Sequence, residues 1–292
     1  MRPAPFNYVA VHSIEEAVRY LSLYPGSKIL AGGQSLIPLM KLRLVRPEYV
    51  IDVNGLITLS YIRASPTGLS IGALTRHAQV ASYKTAERGL QCLIDSASVL
   101  ADPQVRNRGT IGGSIAHADP AADYLPSLLV LNAEVDAVGP RGSRTIKIGE
   151  LIKGPFETGL SGNEVITEVR CPKPPDGSSS AYLKLSKRLQ DFAIVGVAAL
   201  IVADKDKCLE ARIGIGGAVT KPVRAYGAEA LLADTRLGQS QIEKAAEKAS
   251  EAISPVSNPH ASAEYTTKMA KVMTKRVLMK AYEGLRKGSG AS

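Results

Sequence analysis

The chain has no tryptophan, three phenylalanines, three cysteines and four histidines in 292 residues. Cys92, Cys171 and Cys208 are isolated and odd in number, which argues against a disulfide framework and suits a reducing compartment. No C-x-x-C occurs, so this chain alone cannot build a four-cysteine zinc or iron–sulfur site. His12, His77, His117 and His260 are scattered without metal-ligand spacing, and no metal is expected. Nothing approaches the run of about eighteen apolar residues that a spanning helix needs. The opening "MRPAPFNYVAVHS" lacks the apolar core of a signal peptide, so a cytoplasmic protein is expected. There is no G-x-x-x-x-G-K-[ST], which excludes a Walker-type nucleotide site. "GIGGAV" at 214–219 ends on Val219 inside a predicted strand, fails the dinucleotide-binding pattern, and reads as a bulge.

What is present is ordinary for a globular protein: 45% hydrophobic and 22% charged residues. The net charge of +9 invites a nucleic-acid reading, but no basic block is interleaved with stacking aromatics. In "KMAKVMTKRVLMKAYEGLRKG", Met269, Met273, Val277, Ala281 and Leu285 recur every four residues. That spacing buries one helix face and leaves the lysines solvated. A basic surface also suits an anionic cofactor or acidic partner subunits.

Along the chain, Ser13 followed by Glu16 marks a helix start, with Ile14, Ala17, Val18 and Leu21 facing inward. "KILA" reads as a strand, "SLIPLMKLRLV" as a helix broken early by Pro38, and "YVIDV" as a second strand. This α/β unit occupies 1–55. A middle segment, 56–175, holds the strand "GLSIGA", helices over 74–101, a helix from Ala121 to about Leu131, and a hairpin of "AEVDAVGP" with "SRTIKI". The Pro/Gly/Ser-rich stretch that closes "NEVITEVRCPKPPDGSSS" is the clearest boundary. Beyond it, 176–286 reads as three strands followed by helices near 224–235, 239–253 and 260–286, an α+β arrangement. Residues 287–292 read as a disordered tail.

Two segments carry the chemistry. In "AGGQSL" (31–36) a glycine pair stands where a strand passes into a helix, so main-chain N–H groups can converge on an anion. Taken alone, a tight turn explains it as well, and Ser35 can be a donor or a helix cap. In "TIGGSIAHADPAAD" (110–123) Thr110 and Ser114 flank Gly112–Gly113, giving a second glycine loop. Asp123, near a helix start, can accept hydrogen bonds from a ribose or simply favour the helix dipole. His117 reads as an ordinary loop residue.

"ILAGGQSLIPLMKLRLVRPEYVIDV", "RNRGTIGGSIAHADPAADYLPSLLVL" and "AYLKLSKRLQDFAIVGVAA" resemble the FAD-binding medium subunit of the molybdenum hydroxylases, the carbon monoxide dehydrogenase, xanthine dehydrogenase and aldehyde oxidoreductase family. The likeness runs from about residue 1 to 285. It implies an α+β protein: a two-part FAD-binding α/β unit of the vanillyl-alcohol oxidase (PCMH) type, plus a C-terminal three-stranded antiparallel sheet with a helical bundle. It implies that Ile29, Leu30, Ala31, Gly32, Gly33, Gln34, Ser35 and Leu36 wrap the pyrophosphate of FAD. Thr110, Ile111, Gly112, Gly113 and Ser114 close on it from the other half. By the same likeness Asp123 lies on the adenosine side, Leu100 and the Ile166 backbone lie near the cofactor, and Lys184 stands beside it. Read from the residues alone, Lys184 is as well a solvated strand lysine. Ser114 stands where many members carry Asn, and Lys187 and Arg188 are left outside the site.

No catalytic residue is expected in this chain. The resemblance implies an electron-transfer subunit of a heterotrimer that can itself dimerise. A large subunit would carry molybdopterin and a small subunit two [2Fe–2S] clusters, with electrons passing through FAD to an external acceptor. A self-sufficient FAD-dependent dehydrogenase or oxidase is the alternative, and a nucleic-acid or anion-binding module without redox chemistry is a third reading. Neither a membrane span nor a nucleic-acid partner is expected.

Overall fold

Ser13 accepts a hydrogen bond from the Glu16 amide at 3.1 Å and caps α1 (Ile14–Leu23), whose Ala17, Val18 and Leu21 are buried. The Glu16 carboxylate bonds back to the amide of His12, one residue ahead of the cap, at 2.8 Å. The computed structural model describes residues 2–286, and the tail expected at 287–292 lies outside the described residues. Strands β1 (Asn7–Ala10), β2 (Lys28–Leu30) and β3 (Tyr49–Asp52) form a parallel sheet in the order β1-β3-β2. Strand β1 is mostly exposed and carries no apolar run, so periodicity does not reveal it. Helix α2 (Leu36–Lys41) is not broken by Pro38. Proline there sits in the first turn, where the missing N–H costs no bond.

The next unit is built on a five-stranded sheet, β4 (Ile62–Ser65), β5 (Gly68–Gly72), β6 (Glu134–Gly139), β7 (Gly142–Lys147) and, after two short strands β8 (Ile152–Gly154) and β9 (Glu157–Thr158), β10 (Val165–Pro172). Its order is β4-β5-β10-β6-β7. Helices α3 (His77–Ser82), α4 (Gln91–Val99), α5 (Pro103–Arg108), α6 (Ile111–His117), α7 (Tyr124–Val130) and α8 (Ile148–Leu151) lie between β5 and β8 in sequence. Within the expected glycine loop at 110–123, residues Ile111–His117 therefore form a helix, α6. Thr110 caps it, its Oγ1 accepting from the Gly113 N–H at 3.2 Å. The helix near Ala121 begins later, at Tyr124.

The last unit holds β11 (Ser178–Leu185), β12 (Val195–Asp204) and β13 (Lys207–Gly217), the three expected antiparallel strands, with a two-residue β14 (Val223–Arg224) added at the edge. Strand β12 is covered on both faces. Val197, Ala199 and Ile201 pack among α9 (Tyr226–Leu232), α10 (Gln239–Ser250) and α11 (Ala263–Arg286), while Ala198, Leu200 and Val202 join the core of the middle unit. A run buried on both faces reads as continuously apolar, as "VGVAALIV" does. The "GIGG" stretch of β13 is not a bulge, because its register against β12 is regular from Ala211 to Gly217. Gly214 is required by close approach: a Cβ there would stand 2.4 Å from the Pro126 carbonyl on α7. On α11, Met273, Val277 and Ala281 are buried and Met269 and Leu285 half-buried, as their spacing predicts.

Candidate functional site

The strand-to-helix turn after β2 brings the two glycine segments into contact. A Cβ on Gly32 would lie 2.4 Å from the Arg108 carbonyl oxygen and 2.5 Å from the Gly109 Cα, at the entry to α6. No side chain can occupy that space without separating the two backbones. Gly33 follows with φ of 73°, a conformation that favours glycine, and starts α2 by accepting from the Ile37 N–H at 3.0 Å. Gly113 projects toward Ala31, with 3.9 Å between a Cβ built there and the Ala31 Cβ.

The two segments offer different chemistry. Among the described residues, the amides of Gly32, Gly33, Gln34 and Ser35 have no protein acceptor. Ser35 does not cap α2 through its side chain, and Ser35 and Gln34 are exposed. The second segment's amides are engaged: Ile111 donates to Thr75 O at 3.1 Å, Gly112 to Ala73 O at 3.0 Å, Gly113 to Thr110 Oγ1, and Ser114 to Thr110 O at 3.0 Å. Gly112 is dictated by packing, since a Cβ would meet Ala73 at 2.6 Å. What 110–114 presents outward is the exposed Gly113 backbone and the half-buried Ser114 hydroxyl.

A cleft of about 420 Å³ opens beside this contact, lined by Leu30 to Gln34 and by Lys41, Asp52, Asn54 and Arg108. Burial pushes the Asp52 carboxyl up, but hydrogen bonds from Tyr8 and Asn54 and the nearby Arg108 charge outweigh it and hold that pKa below the ordinary range. Two cations and one carboxylate thus line a cleft beside four unpartnered amides, an arrangement suited to a diphosphate.

A second cluster forms around Lys184. The ammonium of this β11 residue donates to Val99 O at 2.7 Å and to Asp123 Oδ2 at 3.1 Å, with 3% of the lysine and 6% of the aspartate side chain exposed. The Tyr182 hydroxyl donates to Asp123 Oδ1 at 2.7 Å. Burial raises the Asp123 pKa above the ordinary carboxylate range, against the pull of Lys184 and the Tyr182 hydroxyl. Lys184 is therefore no solvated strand residue, and Asp123 makes no side-chain cap on α7. Leu100 follows Val99 at the end of α4, its carbonyl taking a bond from Arg106 at 2.9 Å. Ile166 is buried in β10, one residue before Thr167, whose carbonyl accepts from the Ala73 N–H at 2.9 Å. The Ala73 carbonyl in turn accepts from the Gly112 N–H, so Ile166 is linked to the second segment through Thr167 and Ala73.

The structure thus groups 29–36 with 110–114, and Leu100 with Asp123 and Lys184. Lys41, Asn54, Arg108 and Tyr182 belong to these clusters, and Lys41, Asn54 and Tyr182 were not legible in the sequence. Arg108 alone had a signal, its position in "RNRGTIGG". His117 ends α6 with its ring 5.1 Å from Phe156, and burial lowers its pKa. Among the described residues there is no group of three or more potential metal ligands, and no helix is long and apolar enough to cross a membrane.

A parallel β-α unit whose glycine turn lines the cleft meets a five-stranded unit at the entry to α6, the two-part architecture of an FAD-binding flavoprotein. Residues 4–174 match the family of the FAD binding domain in molybdopterin dehydrogenase, and 180–281 match the CO dehydrogenase flavoprotein C-terminal domain. The chain belongs to the FAD-binding medium subunits of the molybdenum hydroxylases. It is 41% identical to the alpha subunit of the 6-hydroxypseudooxynicotine dehydrogenase complex of Paenarthrobacter nicotinovorans, over 96% of each chain. It is 36% identical to the glyceraldehyde dehydrogenase medium chain of Sulfolobus acidocaldarius, over 97% of this chain and 99% of the relative. A carbon monoxide dehydrogenase structure from Hydrogenophaga pseudoflava superposes with a TM-score of 0.94 at 36% identity, covering 97% of this chain and 99% of that one.

Proposed function

We propose that the chain serves as the electron-transfer subunit of a heterotrimer, taking electrons from [2Fe–2S] clusters of a small partner chain and handing them to an external acceptor through its FAD. A large partner chain would carry molybdopterin and the substrate. The observation that carries this reading is the contact of Gly32 with Arg108 and Gly109, beside four amides that point to no protein acceptor. Bound FAD supplies the redox chemistry, and the protein supplies binding, orientation and electrostatics.

In this reading the amides of Gly32 to Ser35 hold the diphosphate, with Lys41 and Arg108 offsetting its charge. Ile29, Leu30, Ala31 and Leu36 shape the turn that presents those amides. Thr110 to Ser114 close the opposite wall, where bare backbone at Gly113 permits close approach. Asp123 keeps one lone pair on each oxygen after binding Tyr182 and Lys184, enough to accept from ribose hydroxyls. Lys184 has spent two of its three N–H donors, and the third can meet an acceptor on the cofactor. Leu100 and the Ile166 backbone exclude water on the two flanks.

The test is to isolate the chain with whatever polypeptides co-purify and reduce the flavin, followed by its visible absorbance. Reduction that requires the iron–sulfur partner supports the reading. Bleaching of the isolated chain's flavin by a small organic substrate would establish a self-sufficient dehydrogenase instead.

A further inference from the structure

The two glycine segments are joined by hydrogen bonds that run through two side chains outside both. Asn54, two residues after β3, donates from Nδ2 to Ala31 O at 2.7 Å and to Leu30 O at 3.3 Å. Its Oδ1 accepts from Arg76 Nη2 at 2.8 Å. The other terminal nitrogen of Arg76, Nη1, donates to the Arg108 carbonyl, the same oxygen against which Gly32 packs. Both ends of this chain of bonds are themselves held. Asp52 Oδ1 accepts from the Asn54 N–H at 2.8 Å, and the Tyr8 hydroxyl fixes Asp52 Oδ2 at 2.7 Å. Arg76 pairs with Thr110 in an isolated antiparallel bridge, and its N–H donates to Gln79 Oε1 at 2.8 Å.

We propose that Asn54 and Arg76 are positioning residues for the cofactor, setting the separation of the first glycine turn from the entry to α6 and so the width of the cradle. The proposal rests on the reading that FAD spans these two segments. A guanidinium suits the task because its terminal nitrogens lie on one rigid plane, so two acceptors are held at a fixed distance. An ammonium on a flexible stem cannot serve both. The ties land on carbonyl oxygens, so they leave the amides of Gly32 to Ser35 free for a ligand.

The test uses the full-length chain stripped of flavin and titrated with FAD, read by quenching of flavin fluorescence and by visible circular dichroism of the bound flavin. Arg76→Ala and Asn54→Ala are each expected to raise the FAD dissociation constant about 10- to 100-fold. The double variant is expected to bind no worse than the weaker single one, because both act through one series of bonds. The dichroism of the residual bound flavin is expected to change, which a loss of global stability alone would not produce. Should Arg76→Ala fail to fold, Arg76→Lys keeps the charge and loses the second tie, with an expected rise of about 5-fold. Wild-type affinity and dichroism in the variants overturn the positioning role, as does a double variant whose losses simply add. A wild-type chain that binds no FAD overturns instead the reading on which the proposal rests.

Discussion

Replacing Lys184 with methionine removes a buried positive charge and leaves the aspartate it serves in place. The Asp123 carboxylate is 6% exposed, 3.1 Å from the ammonium, and among the described residues its one other side-chain partner is the Tyr182 hydroxyl. Breaking one side of such a pair costs about 3–5 kcal/mol, because the remaining charge stays desolvated. Asp123→Asn is expected to cost a similar amount, and the double variant much less than the sum of the two. The pH dependence carries a sign. Burial already raises the Asp123 pKa, and loss of Lys184 raises it further. A carboxyl raised on folding contributes stability below its unfolded pKa and loses it as pH rises through the folded value. The deficit of Lys184→Met should therefore be larger near pH 8 than near about pH 5. Urea unfolding of wild type, both single variants and the double variant at these two pH values measures all of it. Additive single losses, or a deficit independent of pH, would show that the pair is not coupled as its geometry requires.

Three further outcomes are expected. Gly32→Ala forces a Cβ against Arg108 and Gly109 backbone, and overpacking of this kind costs about 1–3 kcal/mol, seen as a lower melting temperature without flavin. An unchanged melting temperature would mean that the two backbones separate freely. Gly113→Val adds bulk at an exposed position whose nearest neighbour is the Thr110 hydroxyl at 2.8 Å. It should retain the fold and lose FAD, and a folded, fully yellow variant would remove 110–114 from the site. His77 is 4% exposed, and burial, then the charges of Arg76 and Arg106, push its pKa down to about 4. The folded state thus takes up the proton less readily than the unfolded chain, so stability is lost as pH falls from about 6.5 toward 4, by at most about 3 kcal/mol. Urea midpoints across that window should flatten in His77→Gln, and an equal slope in the variant would contradict the assignment.

Local signals carried much of the fold. Ser13 and Glu16 marked α1, the unbroken apolar run in β12 marked a strand covered on both faces, and the four-residue spacing in α11 marked its buried side. Helix α6 was illegible because paired glycines argue for a loop. It is the close approach of Gly112 to Ala73, a tertiary fact, that makes glycine the residue which fits there. The resemblance located both glycine segments, but not how differently they are used, with one set of amides free and the other spent. For Ile111 and Gly112 that difference depends on acceptors from Thr75 and Ala73, some forty residues upstream in sequence. The partners of Asp123 could not be read either, since Lys184 lies 61 residues away and no periodicity links them. Asn54 and Arg76 bind main-chain carbonyls, which every sequence has, so no pattern marks them.

Amide hydrogen exchange of the chain with and without FAD probes the cradle itself. The amides of Gly32 to Ser35 have no protein acceptor among the described residues, so FAD should slow their exchange strongly, while those of Ile111 to Ser114, already bonded, should change little. Saturable FAD binding that leaves 32–35 exchanging as in the free chain would place the diphosphate elsewhere and contradict the account.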